Sequence, residues 1–331
     1  MTAKSRKTWE QWMETGDWNL SLGNFEQAIY AFGKAIQLNP VRGDGFHGRA
    51  NAYMEIGDFD HALSDLNQTI KLNPANAYAY LDRGSINFFK KKLESAFQDF
   101  DQAVKLAPQE TEGWVSRGMV RSLMGETEQA VQDYNRAIEL NTEFTRVFFY
   151  RGEAYLDMGE IELAMKDFNK AIELHPEYPD AYCSRAEIYI KEEEFDLAWQ
   201  DLEQALELDP DYADAYLLRG QLNLYESNTE QALQDFDRLI EINPNNGLAY
   251  FYRACAWIGN KKNECALADL NCAIALAPEQ AVSYLMRSLV YELLGDSAES
   301  EADMKKALKL EPEIKSLELL KFLPLNLKFN K

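Results

Sequence analysis

The stretch AYAYLDRG, Ala77–Gly84, decides the reading of this chain. It begins like an amphipathic helix, yet it sets Arg83 where the spacing asks for an apolar residue. The phrase returns as DAYLLRG with Arg219, LAYFYRA with Arg253 and SYLMRS with Arg287. A recurring phrase calls for a test of internal periodicity before any element is assigned. Prolines stand at 40, 74, 108, 176, 210, 244, 278 and 312, a spacing of 34 residues broken once by a gap of 68, whose midpoint is Thr142. One proline has been replaced without a change of register.

Units therefore begin at Trp9, Gly43, Ala77, Thr111, Thr145, Pro179, Ala213, Gly247 and Ala281. This divides the chain into an extension (1–8), nine repeats (9–42, 43–76, 77–110, 111–144, 145–178, 179–212, 213–246, 247–280 and 281–314) and a tail (315–331). Position 4 of each repeat is aromatic, from Trp12 and Phe46 to Tyr250 and Tyr284, and position 8 is Gly, Ala or Ser. Position 20 is Ala, or Ser300 in the ninth repeat, and four residues on comes a large apolar side chain such as Phe32, Phe100, Phe168 or Phe236. Small facing large at helical spacing predicts two closely packed helices per repeat. A turn, often with Gly at position 15, joins them, and the proline ends the second helix because it has no amide to offer another turn.

The pattern resembles the tetratricopeptide repeat, whose 34-residue signature has these residue types in this order. The resemblance covers Trp9 to Ile314. It implies an all-α, right-handed superhelical solenoid of nine helix-turn-helix units, closed by a C-terminal capping helix, with first helices lining a concave face that holds ligands. Since one hairpin cannot bury its apolar face alone, stacking makes the repeats one continuous array.

The chain departs from the signature at position 7, where the family commonly has Leu. Here stand Arg49, Arg83, Arg117, Arg151, Arg185, Arg219, Arg253 and Arg287, with Thr15 in the first repeat. Sixteen residues after each Arg come Asp65, Asp99, Asp133, Asp167, Asp201, Asp235, Asp269 and Asp303, with Ala31 in the first repeat. Arg and Asp vanish together, which an ion pair between the two helices of one repeat would require. A carboxylate can meet two guanidinium donors at once, so these residues are read as structural. The rival assignment pairs the Asp of one repeat with the Arg of the next, for example Asp65 with Arg83, and stays open at this stage.

Composition narrows the functional classes. With 34 basic and 55 acidic residues the net charge is -21, which repels nucleic acid and anionic lipid. The start of the chain has no apolar run of a secretory signal, and nowhere do about eighteen apolar residues stand together, so a cytoplasmic protein without membrane insertion is expected. Cys183, Cys255, Cys265 and Cys272 are too few for a disulfide scaffold and are read as reduced, buried thiols. His47, His61 and His175 occupy unrelated positions and are read as surface residues. No phosphate-cradling loop, nucleophile elbow or zinc-protease motif occurs, so no catalysis, cofactor or metal is expected.

What remains is a protein-binding scaffold or adaptor. Positions 2, 5, 9, 12 and 13 share a stripe away from the packing face of the first helix. The candidate partner-binding residues are Leu81, Phe88, Phe89, Val115, Met119, Leu123, Leu217, Leu224, Tyr225, Phe251, Ile258 and Leu289. They suit an apolar groove for an extended peptide or a partner's helix. Positions 5 and 12 also help successive first helices pack, which makes positions 9 and 13 the stronger candidates. A chaperone adaptor is the alternative, as is an assembly or regulatory subunit. The resemblance ties chaperone binding to Lys at position 5 and Asn at position 9, and here Asn51 has only His47 as its position 5 companion. The tail carries Leu317, Leu319, Leu320, Phe322 and Leu323, read as a capping helix, with self-association through its apolar surface as the other reading.

Overall fold

The structure, a computed structural model, describes residues 7–313. The tail read above as a capping helix lies outside the described residues. Among the described residues there are eighteen α-helices and no strand, paired in order from Trp9–Ser21 with Phe25–Leu38 to Ala281–Leu294 with Ser297–Leu310. By density of contacts the chain divides into two compact parts, Met1–Lys170 and Ala171–Lys331. Each part is a stack of helical hairpins, and each hairpin packs its first helix on its second.

The turn inside each hairpin has one conformation in all nine repeats. Position 15 takes a left-handed φ whether it is Gly57 (75°) and Gly295 (87°) or Lys91 (57°), Glu193 (60°), Ser227 (65°) and Lys261 (58°). The amide after it then reaches back to the carbonyl of position 11, as Asp58 does to Tyr53 at 2.9 Å and Lys92 to Asn87 at 2.8 Å. This closes the first helix by satisfying a terminal carbonyl. Side chains with a Cβ pay about 1 kcal/mol for that φ. Replacing Lys91, Glu193, Ser227 and Lys261 by glycine should therefore stabilise the chain by roughly 0.5 kcal/mol per site, after the extra backbone entropy glycine loses on folding. A urea titration of the fourfold variant checks this, and a lowered midpoint would contradict it.

The core of each hairpin is a matched pair. Where position 8 is Gly16, Gly84, Gly118, Gly152 or Gly220, position 24 is the aromatic Phe32, Phe100, Tyr134, Phe168 or Phe236. Where position 8 is Ala50, Ala186, Ala254 or Ser288, position 24 is the smaller Leu66, Leu202, Leu270 or Met304. The reason is distance: a Cβ built on Gly220 would lie 2.5 Å from Phe236 Cε1, and one on Gly84 2.7 Å from Phe100 Cε1. The ring fills the space that a Cβ would take at position 8, so volume is conserved across the seam while its division changes.

The aromatic at position 4 links one repeat to the end of the one before. Tyr182, Tyr216 and Tyr284 donate their hydroxyls to the carbonyls of Pro176, Pro210 and Pro278, at 3.1, 3.0 and 3.1 Å. Trp114 Nε1 does the same to Pro108 at 3.1 Å. An amphipathic ring can bury its body in the seam and still satisfy its polar end there.

Candidate functional site

The arginines occupy a slot built from both helices. Arg83 Nε and Nη2 donate to the two oxygens of Asp99 at 3.0 and 2.6 Å. The same fork joins Arg49 to Asp65, Arg151 to Asp167, Arg185 to Asp201, Arg219 to Asp235, Arg253 to Asp269 and Arg287 to Asp303. Each guanidinium also lies against the position 4 ring, for instance 4.8 Å from the Trp114 centroid for Arg117 and 5.7 Å from that of Tyr182 for Arg185. The pairs run within repeats, and the rival pairing of Asp65 with Arg83 is not the one formed.

A second link does run between repeats, through position 25. Arg83 Nη1 donates to Asn67 at 2.6 Å, Arg117 to Asp101 at 2.7 Å, Arg151 to Asn135 at 2.5 Å, Arg253 to Asp237 at 2.7 Å and Arg287 to Asn271 at 2.6 Å. Each such arginine thus ties its own hairpin together and fastens it to the preceding one. The hydrogen bonds that Arg253 donates to Asp269 hold its guanidinium above its ordinary pKa against the opposing effect of burial. Sequence reasoning missed position 25, although the signal was there: an acceptor stands sixteen residues before each of these arginines as well as sixteen after. The arginine ladder is architecture, and the partner-binding candidates lie on the other face of the first helices.

On that face the candidates divide by burial. Leu81, Val115, Leu224, Phe251 and Ile258 are buried and cannot meet a partner, which corrects their reading as groove residues. They sit at positions 5 and 12, where each first helix meets its neighbours: Leu81 belongs to a core with Phe100 and Val120, and Leu224, Phe251 and Ile258 share another with Phe236 and Met286. Phe88, Met119, Leu217 and Leu289 are half-buried, with Phe88, Leu217 and Leu289 packed on the edges of these cores.

Three candidates stand out from the surface, all at position 13. Phe89 is 69% exposed and Leu123 61%, on first helices of successive repeats in the first part. Tyr225, in the second part, is 38% exposed. Phe89 is held by Phe59 at 5.0 Å between centroids, and Tyr225 by Phe195 at 4.7 Å. Phe59 and Phe195 both occupy position 17 of the preceding repeat, a supporting role that the reading of first helices alone did not include. Lys90 Nζ, 2.6 Å from Asp60, ties down the same corner.

The second part has a different character, with Asp180, Asp214 and Glu187 on its first helices. Desolvation and the charges of Asp180 and Glu187 push the Asp214 carboxyl above its usual pKa. A carboxyl that binds its proton more tightly folded than unfolded costs stability once ionised, and the cost disappears on protonation. Asp214→Asn should thus raise the melting temperature at pH 7, with the gain fading as the pH falls through the raised folded-state pKa and gone below the ordinary carboxylate value of about 4. A gain that persists unchanged in acid would contradict this origin.

Two further expectations need correction. His47 is half-buried, not a free surface residue, with Nε2 2.7 Å from Asp82, and the Asn51 amide, assigned with its nitrogen towards Asp82, lies 3.2 Å from the same carboxylate. Cys183 and Cys255 are buried, and burial raises both thiols, Cys255 to about 12, but Cys265 and Cys272 are exposed. Among the described residues no group of three or more His, Cys, Asp or Glu could hold a metal ion, and no helix is long and apolar enough to cross a membrane.

Comparison with known proteins gives the relationship. The profile described as TPR repeat matches residues 122–159, 152–192 and 186–225, and two described as Tetratricopeptide repeat match 47–111, 213–246 and 281–314. Together they span more than half of the chain. No curated protein sequence matches it. Among solved structures, the APC/C hetero-tetramer Cut9-Hcn1 aligns with a TM-score of 0.67 at 16% identity, over 85% of this chain and 55% of that one. Pseudomonas aeruginosa pilF aligns at 0.57 and 19% identity, over 62% and 94%. The MamA protein aligns at 0.46 and 28% identity, over 51% and 92%. Two of the matched stretches, 213–246 and 281–314, coincide with repeats of the 34-residue register and its paired helices: the chain belongs to the tetratricopeptide repeat family.

Proposed function

We propose that the protein is a non-catalytic interaction scaffold whose first helices receive an extended peptide or a helix of a partner protein. The observation that carries this reading is the pair Phe89 and Leu123, large apolar side chains held in the open at the same position of successive repeats. Apolar side chains that packing leaves exposed, Phe89 with the Phe59 ring fixing its place, suit anchors for a partner's apolar residues. Met119, half-buried one helical turn before Leu123, widens the strip.

The chaperone-adaptor alternative draws less support. His47 and Asn51, at the positions that resemblance ties to a terminal carboxylate, are both engaged by Asp82 of the next repeat. A ligand carboxylate there would face an acidic side chain already in place.

Peptides selected from a displayed library against the intact protein test the proposal. They should bind one to one and lose at least tenfold in affinity to Phe89→Glu/Leu123→Glu, a loss of about 1.4 kcal/mol or more. They should be indifferent to Gln98→Glu on the exposed side of a second helix. Selected peptides that bind the Phe89→Glu/Leu123→Glu protein as well as the parent would refute it.

A further inference from the structure

The first repeat lacks both members of the ion pair, and what stands in their place points to a binding site. With Thr15 and Ala31 where the other repeats have Arg and Asp, the slot opens into a cleft of about 350 Å³ lined by Trp12, Thr15, Asn19, Glu26, Tyr30 and Ala31. In the third repeat the corresponding cleft, about 280 Å³, has the Arg83–Asp99 pair in its wall. The indole of Trp12 and the phenol of Tyr30 meet edge to face at 5.9 Å and 79°, forming an aromatic corner.

That corner draws cations. Lys7, from the extension ahead of the first helix, sets Nζ 4.5 Å from the Trp12 centroid and donates to Thr15 Oγ1 at 2.9 Å. Lys34 Nζ lies 5.2 Å from the Tyr30 centroid. In the eight other repeats the equivalent ring carries a guanidinium supplied from three residues along its own helix, at centroid distances such as 5.5 Å for Arg83 on Tyr80 and 5.6 Å for Arg253 on Tyr250. The repeat architecture therefore shows what this slot holds, and in repeat one the residue that would hold it is missing.

We infer that the Trp12–Tyr30 cleft is a binding site for an arginine side chain of a peptide segment, with Lys7 as an occupant from the same chain that yields to it. A planar guanidinium stacks on an indole face better than an ammonium does and is more weakly hydrated, so it can displace the lysine. Glu26 in the wall supplies a carboxylate, and the net charge of -21 raises the local concentration of a basic segment. This site is separate from the Phe89–Leu123 strip and does not rest on it.

The test follows the indole N–H resonance of Trp12, assigned through Trp12→Phe, by NMR on the full chain. N-acetylarginine amide should move it saturably in the millimolar range. Lys7→Ala should strengthen the response several-fold, and the neutral, isosteric N-acetylcitrulline amide should leave the resonance in place. Thr15→Arg/Ala31→Asp, which writes the other repeats' pair into the first, should abolish the response while the amide spectrum stays dispersed. Three results would overturn the inference: no saturable movement in the Lys7→Ala protein, an equal response to the citrulline analogue, or a full response in folded Thr15→Arg/Ala31→Asp. Free arginine binding as tightly as the capped amide would assign the site to the amino acid rather than to a peptide, and would overturn it in that form.

Discussion

Asp133→Ala is expected to destabilise the fourth repeat by about 3–5 kcal/mol, the cost of leaving a buried charge without its partner. Asp133 is 2% exposed and accepts from Arg117 Nε and Nη2 at 2.9 and 2.7 Å and from Arg121 Nη1 at 2.8 Å. Its loss strands Arg117 Nε and Nη2 inside the hairpin, while Arg117 Nη1 keeps Asp101 and Arg121 keeps only the longer contacts of Nη1 to Gln129 O at 3.4 Å and of Nε to Glu126 at 3.8 Å. The double replacement Arg117→Met/Asp133→Leu removes the buried carboxylate together with its main guanidinium and leaves Arg121 to Gln129 O and Glu126, so it should cost less than the single change, since apolar side chains of similar volume fill the slot. Hydrogen exchange across Thr127–Leu140, with urea titration of the whole chain, reads both. Single and double variants of equal stability would mean that the pair is not what holds the repeat.

Gly220→Ala should cost about 1–3 kcal/mol, even though alanine is the better helix former by about 1 kcal/mol. The added methyl would sit 2.5 Å from a ring with no exposed surface, and neither the helix nor Phe236 has room to retreat. Phe236→Leu should relieve it, because Ala facing Leu is the combination found in the second, sixth and eighth repeats. The two substitutions are thus expected to be strongly non-additive in a double-mutant cycle, with a coupling of roughly 1 kcal/mol or more in the favourable direction. Additivity within about 0.5 kcal/mol would contradict the size matching.

These two cases also show what was legible in the chain beforehand. The 34-residue register needs only the prolines, the position 4 aromatics and the small residues at position 8, because repetition averages away local ambiguity. The sixteen-residue spacing from Arg49 to Asp65 and its successors was legible for the same reason, with Thr15 and Ala31 as the informative exception. The match of Gly220 to Phe236 and of Ala186 to Leu202 was written in the sequence too, yet it has meaning only once the ring is known to fill the space that a Cβ would take at position 8.

The surface was harder to read. Leu81, Val115, Leu224, Phe251 and Ile258 share a helical stripe with Phe89 and Leu123, but helical periodicity gives direction around one helix and says nothing of how near the next helix comes. Positions 5 and 12 are covered by neighbouring first helices, whereas position 13 projects past them. The cleft at Trp12 was invisible for a different reason: a missing side chain becomes a cavity only when the walls around it are placed.

The measurement that bears most directly on the proposed function is site-specific photocrosslinking. A benzoylphenylalanine replacing Phe89 and, in a second protein, one replacing the exposed Gln98 of a second helix would be irradiated with a peptide that the intact chain binds. Crosslinks from position 89 that map to one continuous peptide segment, with none from position 98, are the result the scaffold reading predicts. Crosslinks from position 98 with none from position 89 would contradict it and move the binding surface to the second helices.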